Sequence, residues 1–307
     1  DVEFFLFFRC TLELSSLIKN EFNLYSDPLA TPPMTPSSSM TPPPTEPEKI
    51  PDPTYIENKD CDTNGRVERV INQTEPIMLT INVSLFENID HNDDGGAIHV
   101  INAGIQCDGN IFRQCTSTKS GGAIYVKNDY DFLNQLTFVN LEINKCTAEY
   151  GGGIFISTIS NKNPVIIKAC KFDGNTALTK ENENNEFYGG SAIFLMVPTG
   201  LILKNKFTNN IGDGGSIRIR NVFESEKSSM FMLSYNDDAD VLINDCIFEI
   251  SKNEKYSVFY DSGNKGSLFK LNKCTFTGKL SPGSNYIGGR VVSNNSPKLV
   301  VKMCKFD

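Results

Sequence analysis

Nine cysteines are the most regular set of reactive side chains in this chain: Cys10, Cys61, Cys107, Cys115, Cys146, Cys170, Cys246, Cys274 and Cys304. No two form a Cys-x-x-Cys pair of the kind that opens a zinc or redox site, and the odd total leaves at least one thiol unpaired in a monomer. The histidines number 2, His91 and His99. They are too few for a zinc site built mainly from imidazole, and they give a Ser/His/Asp or Cys/His triad almost no choice of base. Both read as surface side chains. Carboxylates at Asp93-Asp94, Asp213 and the group Asp237, Asp238 and Asp240 could supply paired acids for glycoside hydrolysis or oxygen ligands for calcium. Asp and Asn ahead of Gly-Gly also make good turns, and that reading is the stronger one. Arg218 and Arg220, two apart on a strand, point to one face and read as a solvated pair.

Charge narrows the classes further. With 29 Lys+Arg against 37 Asp+Glu the formal charge is -8, which argues against nucleic acid or an anionic membrane as a partner. No cofactor is called for. The apolar run Val2 to Phe8 ends at Arg9, well short of the roughly 18 residues of a membrane span, so no span is expected within the chain. Residues 1–25 read as an N-terminal element or the remnant of an upstream segment, and because the chain opens on Asp1, missing flanking segments are expected.

Positioning elements must come from the rest of the chain. Residues 26–53 hold ten of the 15 prolines, interleaved with Ser and Thr. Fixed φ and missing N–H groups make this an extended linker whose hydroxyls are candidate O-glycan acceptors. Beyond it, 54–307 is repetitive. Aligning the residues that follow short β-branched runs gives Phe86, Phe112, Ile143, Phe172, Phe207, Phe248, Phe276 and Phe306, separated by 26, 31, 29, 35, 41, 28 and 30 residues. After most anchors comes a glycine doublet: Gly95-Gly96, Gly121-Gly122, Gly151-Gly152, Gly189-Gly190, Gly214-Gly215 and Gly288-Gly289. Most doublets lead into another apolar strand; in the sixth unit Tyr256 to Phe259 takes that place without glycine.

Short strands on a period near 30, with no amphipathic helix between them, predict an all-β chain folded as a right-handed parallel β-helix, a pectin-lyase-like solenoid of about eight coils with the last incomplete. One coil cannot bury its inward face alone, whereas stacked coils share a column of side chains. The anchors should form that column. Cys170, Cys246, Cys274 and Cys304 each precede an anchor by two residues, which predicts that Cys and Phe share one strand face and that the cysteines form an inward ladder. Cys115 and Cys146 each follow an anchor by three and should be neighbours in adjacent coils. Buried, reduced thiols are the favoured state.

The Gly-Gly-Ala-Ile blocks at 95–98 and 121–124, with Phe172-x-x-Asn175 and Phe207-x-x-Asn210, resemble the repeats of polymorphic outer membrane proteins, found in chlamydial autotransporter adhesins and in surface proteins of parasitic protists such as trichomonads. The resemblance covers roughly 79–307. Cys115 and Cys146 stand where the family has the Asn of Phe-x-x-Asn, and no autotransporter barrel is present. The resemblance implies an extracellular or cell-surface β-helix used in adhesion or antigenic display, with a host-cell receptor or glycan as partner. Within that reading the variable loops Lys180 to Phe187, Asn221 to Asp240 and Lys279 to Tyr286 carry the interaction. Asn72, Asn82 and Asn294 open Asn-x-Ser/Thr sequons and are candidate glycan sites. A polysaccharide lyase or glycoside hydrolase is the alternative, since Gly212 to Arg220 has a superficial likeness to one polygalacturonase motif, though the companion aspartates and histidine are missing. A purely structural spacer is the third reading.

Overall fold

The computed structural model describes residues 53–55, 66–70, 77–129, 135–159, 164–178, 189–212, 214–221, 241–250, 256–262, 268–279, 282, 284–291 and 298–307. The N-terminal element and all of the linker but Pro53 lie outside them.

Every element among the described residues is a strand, and every strand pairing is parallel. A coil visits four sheets in turn, as in Gly104–Asp108, Ile111–Arg113, Thr116–Ser117 and Ile124–Asn128. The next coil repeats the circuit with Leu136–Val139, Glu142–Asn144, Thr147–Ala148 and Ile154–Thr158, each strand pairing with its counterpart above. The result is a parallel β-helix of stacked sheets that contain, in the order a coil visits them, 9, 8, 4 and 8 strands. Coils begin at Met78, Gly104, Leu136, Val165, Gly200, Val241, Leu268 and Lys298, and the last reaches only Lys305–Phe306. Pro53–Tyr55 and Val67–Val70 add strands to the first and fourth sheets ahead of Met78. This partial coil was not expected from the repeat, because it has no Phe anchor.

The anchors stack as the spacing requires. Phe86 pairs with Phe112, Phe112 with Ile143, Ile143 with Phe172, and so on through Phe207, Phe248, Phe276 and Phe306. Rings from Phe172 onward lie 4.8–5.0 Å apart and within about 6° of parallel. That spacing is the strand-to-strand distance of a sheet, so each ring covers the face of the next without leaving its rotamer. Ile143 interrupts the stack at its third rung.

Cys170, Cys246 and Cys274 each sit one residue ahead of the strand that carries their Phe anchor, and Cys and Phe both face the core with the residue between them turned outward; Cys304 at the last coil is partly buried. Between the first and second sheets each coil turns through one left-handed residue: Val83, Gly109, Asn140, Ala169, Lys204, Asp245, Lys273 and Met303 all have positive φ. The residue that follows, Asn110, Leu141, Cys170, Asn205, Cys246 or Cys274, is buried in the core, whereas Ser84 and Cys304 at the same place are partly buried. A second left-handed corner, at Asn88, Gln114, Lys145, Gly174 and Asn209, is followed by Ile89, Cys115, Cys146, Asn175 and Asn210. Cys115 and Cys146 are neighbours in adjacent coils, as expected.

Asn and Cys solve one problem at these corners. Asn110 Nδ2 donates to Ile81 O at 2.7 Å while its Oδ1 accepts from Ser84 N at 2.8 Å. Asn205 does the same with Ile167 O and Cys170 N at 2.9 and 2.8 Å. Where Cys takes the place, its Sγ approaches the equivalent carbonyl: Cys115 to Phe86 O and Cys170 to Phe138 O at 3.6 Å, and Cys246 to Ile202 O at 3.5 Å. Backbone groups freed at a buried corner must be satisfied, and either side chain supplies a donor.

The doublets make the third type of corner. Gly95, Gly121 and Gly151 have φ of 71°, 68° and 60°, the left-handed region glycine enters freely. A Cβ on the following residue, Gly96 or Gly122, would collide with the next coil's carbonyl oxygen. Two expected doublets sit differently. Gly190, not Gly189, is the left-handed residue of its coil, so the working pair is Gly190-Ser191; in the following coil it is Gly215, the second of Gly214-Gly215. Gly288 and Gly289 are no corner at all: they lie inside strand Asn285–Val291 opposite Phe259 and Tyr260. A side chain at Gly288 would strike the Tyr256 ring.

Candidate ligand-binding face

The strand after each glycine corner alternates. Ile98, Ile124, Ile154, Ile193 and Ile217 point into the core, so the residue after each points out. The fourth sheet therefore carries an outward row in strict register: Glu68, His99, Tyr125, Phe155, Phe194, Arg218, Phe259 and Gly288. Tyr125, Phe155 and Phe194 form a hydrophobic cluster of their own, separate from the core, with Ile101, Tyr150 and Met196 packed against it. Tyr125 stacks on Phe155 at 5.2 Å and Phe155 on Phe194 at 5.4 Å, within 9° of parallel.

Arg218 continues that stack with a guanidinium. Its Cζ lies 5.4 Å from the centre of the Phe194 ring and 5.6 Å from that of Phe259, and the residue is only 1% exposed. The expected solvated pair is thus corrected for Arg218. An arginine flanked by two aromatic rings is held by the ring quadrupoles, and its planar, weakly hydrated head tolerates the loss of water better than an ammonium would. Arg220 lies one pleat further along the same strand, opposite Met196. Ser120, Tyr150, Phe155, Phe194, Met196, Arg218 and Arg220 together line a cavity of about 200 Å³. One wall is aromatic, Met196 adds a soft thioether, two guanidiniums bring charge, and the Ser120 and Tyr150 hydroxyls can donate or accept.

At the N-terminal end of the row the chemistry is different. His99 tilts over Tyr125 at 5.2 Å and places Nδ1 3.4 Å from Glu68 Oε1. Burial, helped by the neighbouring Arg66 charge, lowers the pKa of His99 below its ordinary 6.5 against the opposing pull of Glu68. This half-buried imidazole is not the surface side chain expected. Arg66, itself buried, donates to Gly95 O at 2.9 Å, to Asp94 O at 3.0 Å and to Glu68 at 2.6 Å, closing the first glycine corner. Burial also pushes the Tyr125 hydroxyl far above the ordinary phenol value, so it serves as a neutral hydrogen-bonding group.

Other candidates are dispersed. Asp93 pairs with Lys119 at 2.7 Å on the exposed third corner, and that ammonium holds its carboxyl below the ordinary value. Asp213, Asp237, Asp238 and Asp240 lie outside the described residues, as do Asn72, Asn294, Lys180 to Phe187 and nearly all of Asn221 to Asp240. Asn82 is exposed at the end of its strand. Tyr286, expected at the edge of a loop, is instead part of strand Asn285–Val291 and packs against Phe276 and Phe306 at 5.8 and 5.7 Å. Among the described residues no three His, Cys, Asp or Glu side chains group as metal ligands, and no helix is long and apolar enough to cross a membrane. Cys107, Cys115, Cys146, Cys170, Cys246 and Cys274 are buried and unbridged.

Protein-family models, curated proteins and solved structures were compared with the chain, and none matches. The aromatic row was readable in advance. Ile124-Tyr125, Ile154-Phe155, Ile193-Phe194 and Val258-Phe259 repeat an inward aliphatic followed by an aromatic, and alternation alone sends the second of each pair outward.

Proposed function

We propose that this chain is a cell-surface or secreted β-helix module that binds host-cell or glycan ligands, serving adhesion or antigenic display and carrying out no catalysis. The observation that carries the reading is the outward stack of Tyr125, Phe155 and Phe194 running into Arg218. A core-forming repeat needs only its inward positions to be apolar. Aromatic side chains kept in register outside the core, with a cavity of about 200 Å³ beside them, are what a ligand-binding module uses.

The resemblance to polymorphic outer membrane protein repeats and the Pro/Ser/Thr-rich segment both favour display at a surface. The reading moves the centre of recognition from the variable loops to the fourth sheet. The test is a host-cell and glycan binding screen of the full chain, beside an assay for release of reducing or unsaturated ends from polysaccharides. Saturable binding without turnover supports a binding module. Turnover makes the chain an enzyme, and absence of both makes it a spacer; either result overturns the proposal.

A further inference from the structure

Basic charge is concentrated on one line of the solenoid, away from the aromatic row. At the turn between the first and second sheets each coil sets three positions on the outside: the last residue of the first strand, the left-handed residue and the first residue of the second strand. In the fourth and fifth coils these positions hold Lys168, Lys171, Lys204 and Lys206. In the last two coils they hold Lys273, Lys302 and Lys305. All of these lysines are exposed. From the fourth coil to the eighth, Asp245 is the one carboxylate at these positions.

Pairing sets these lysines apart from those on other faces. Lys119 lies 2.7 Å from Asp93, and Lys127 lies 3.0 Å from Asp129. On the line, Lys171 meets Glu142 at 2.8 Å and Lys305 meets Asp307 at 2.5 Å, whereas Lys168, Lys204, Lys206, Lys273 and Lys302 make no ion pair among the described residues. Lys171 and Lys206 are partners on neighbouring strands. Like charges so placed repel, and an acid at either position would have relieved them. Stacking at about 4.8 Å per coil spreads the line over about 19 Å from the fourth coil to the eighth.

A chain of formal charge -8 repels a polyanion as a whole, so any attraction has to be local. At physiological ionic strength charges more than about 8 Å away are largely screened, and a ligand lying on this line meets mainly ammonium groups. Lysine offers a flexible point charge with three donors, which suits anionic groups whose orientation changes along a polymer. Beside the lysines on the second sheet the outward residues are Glu142, Ile247 and Thr275, none of them an aromatic ring on which a nucleic acid base could stack. A narrow line along the axis matches a linear polymer more closely than it matches a planar lipid surface. We infer that this corner of the solenoid binds a linear anionic polysaccharide laid along the axis, its sulfates or carboxylates on the lysines of successive coils. The inference rests on the binding-module reading and gives it a second face with a partner class.

The test is calorimetric titration of the full chain with heparin and hyaluronate oligosaccharides of equal length, beside a neutral dextran oligosaccharide, an oligothymidylate and phosphatidylserine vesicles. Heparin carries sulfates and hyaluronate only carboxylates, so their ranking separates the two sources of charge. The expected result is binding of at least one of the two and not of dextran, with an affinity that falls as salt is raised. Lys204→Gln/Lys206→Gln should weaken it about tenfold or more, while Lys119→Gln/Lys127→Gln, which changes the net charge equally on other faces, should leave it unchanged. None of these four lysines is buried, and circular dichroism checks that both variants fold. Protection of Lys204 and Lys206 from acetylation by the bound oligosaccharide, read by peptide mapping, gives the same decision on the parent chain. No binding of either anionic oligosaccharide at low salt, equal weakening by the two variants, unprotected lysines, or tighter binding of oligothymidylate or vesicles would overturn the inference. Host-cell binding measured in parallel keeps the two proposals apart: cell binding without polysaccharide binding defeats only the lysine line, whereas the absence of any cell or glycan binding defeats the binding-module reading as well.

Discussion

Asn210 accepts two hydrogen bonds from Asn175, one coil away at the same corner: its Oδ1 lies 3.0 Å from the Asn175 backbone nitrogen and 3.1 Å from Asn175 Nδ2. Asn175 in turn donates to Ile143 O at 2.9 Å and accepts from the Cys146 backbone N–H at 3.0 Å. Three successive coils, each contributing the residue after a left-handed turn, are thereby linked through side chains where the sheet ladders are interrupted. Hydrophobic stacking makes the solenoid compact, and these corner bonds fix the register of one coil on the next.

Removing the Asn175 amide should therefore cost more than its size suggests. Asn175→Ala leaves the Cys146 N–H and the Ile143 carbonyl buried with no side-chain partner, a loss of about 1–3 kcal/mol. Asn175→Cys restores a donor towards the carbonyl, as Cys115 does for Phe86 O, and should recover part of the loss. Urea unfolding of the three proteins measures this. Equal stability of the Ala and Cys variants would show that the thiol does not stand in for the amide.

The Phe stack gives a second, larger effect. Phe207 is fully buried, between Phe172 at 5.0 Å and Phe248 at 4.8 Å. Phe207→Ala opens a cavity in mid-column and should destabilise by about 3–5 kcal/mol. Phe207→Ile should cost much less, because Ile143 already occupies the equivalent rung between Phe112 and Phe172. A midpoint for the Ile variant as low as that for Ala would mean that ring stacking itself, beyond filled volume, holds the column.

How much of this was legible depended on whether a signal repeats with the coil. Phe86 through Phe306 could be aligned by eye because each follows a β-branched run, and all eight fall in register. Gly288 was misplaced because two adjacent glycines look alike in a sequence whether they make a corner or make room for Tyr256. Arg218 looked solvated because two residues on one strand show a shared direction but not what flanks them in neighbouring coils. Phe194 and Phe259 lie 24 residues before it and 41 after it in the chain, and only the register brings them over its guanidinium. The left-handed corners left no such trace, since Val83, Ala169, Lys204 and Met303 have nothing in common except backbone conformation.

Val83 is the costliest of those corners. It has φ of 49° and is 80% exposed, so a β-branched residue adopts the left-handed region without burying its side chain in return. Asn140 takes the equivalent place two coils later with φ of 54°. Val83→Asn should stabilise the protein by about 1 kcal/mol, because Asn enters this region at lower cost. A thermal melt checks it, and a lowered midpoint would show that the valine makes a contact worth more than its strain.

Thiol reactivity should follow the stack outward. Burial raises the Cys170 thiol to about 12 and lifts Cys107 further, leaving almost no thiolate in the native state at pH 8. Cys304, at the last corner, is only partly buried, with its pKa raised by the same effect to a lesser degree. Alkylation at pH 8 followed by peptide mapping should modify Cys304 long before Cys107 or Cys170, both of which should react at the rate of unfolding. Fast labelling of Cys107 in the folded protein would contradict the packing described.

His99 makes stability depend on pH in a definite direction. Its folded pKa lies below the ordinary 6.5, chiefly because burial disfavours the imidazolium. The unfolded chain therefore binds the proton more readily than the folded one. The stabilisation is fully present above about pH 6.5, the unfolded value, and is lost as pH falls from there through the lower folded pKa. His99→Phe keeps a ring against Tyr125 and removes the titration. Unfolding midpoints measured between pH 8 and pH 5 should fall more steeply for the parent than for the variant, and the imidazole resonance assigned to His99 should titrate below that of an unfolded reference. Parallel pH profiles for the two proteins would show that Glu68, 3.4 Å from Nδ1, holds the charged form well enough to cancel the cost of burying it.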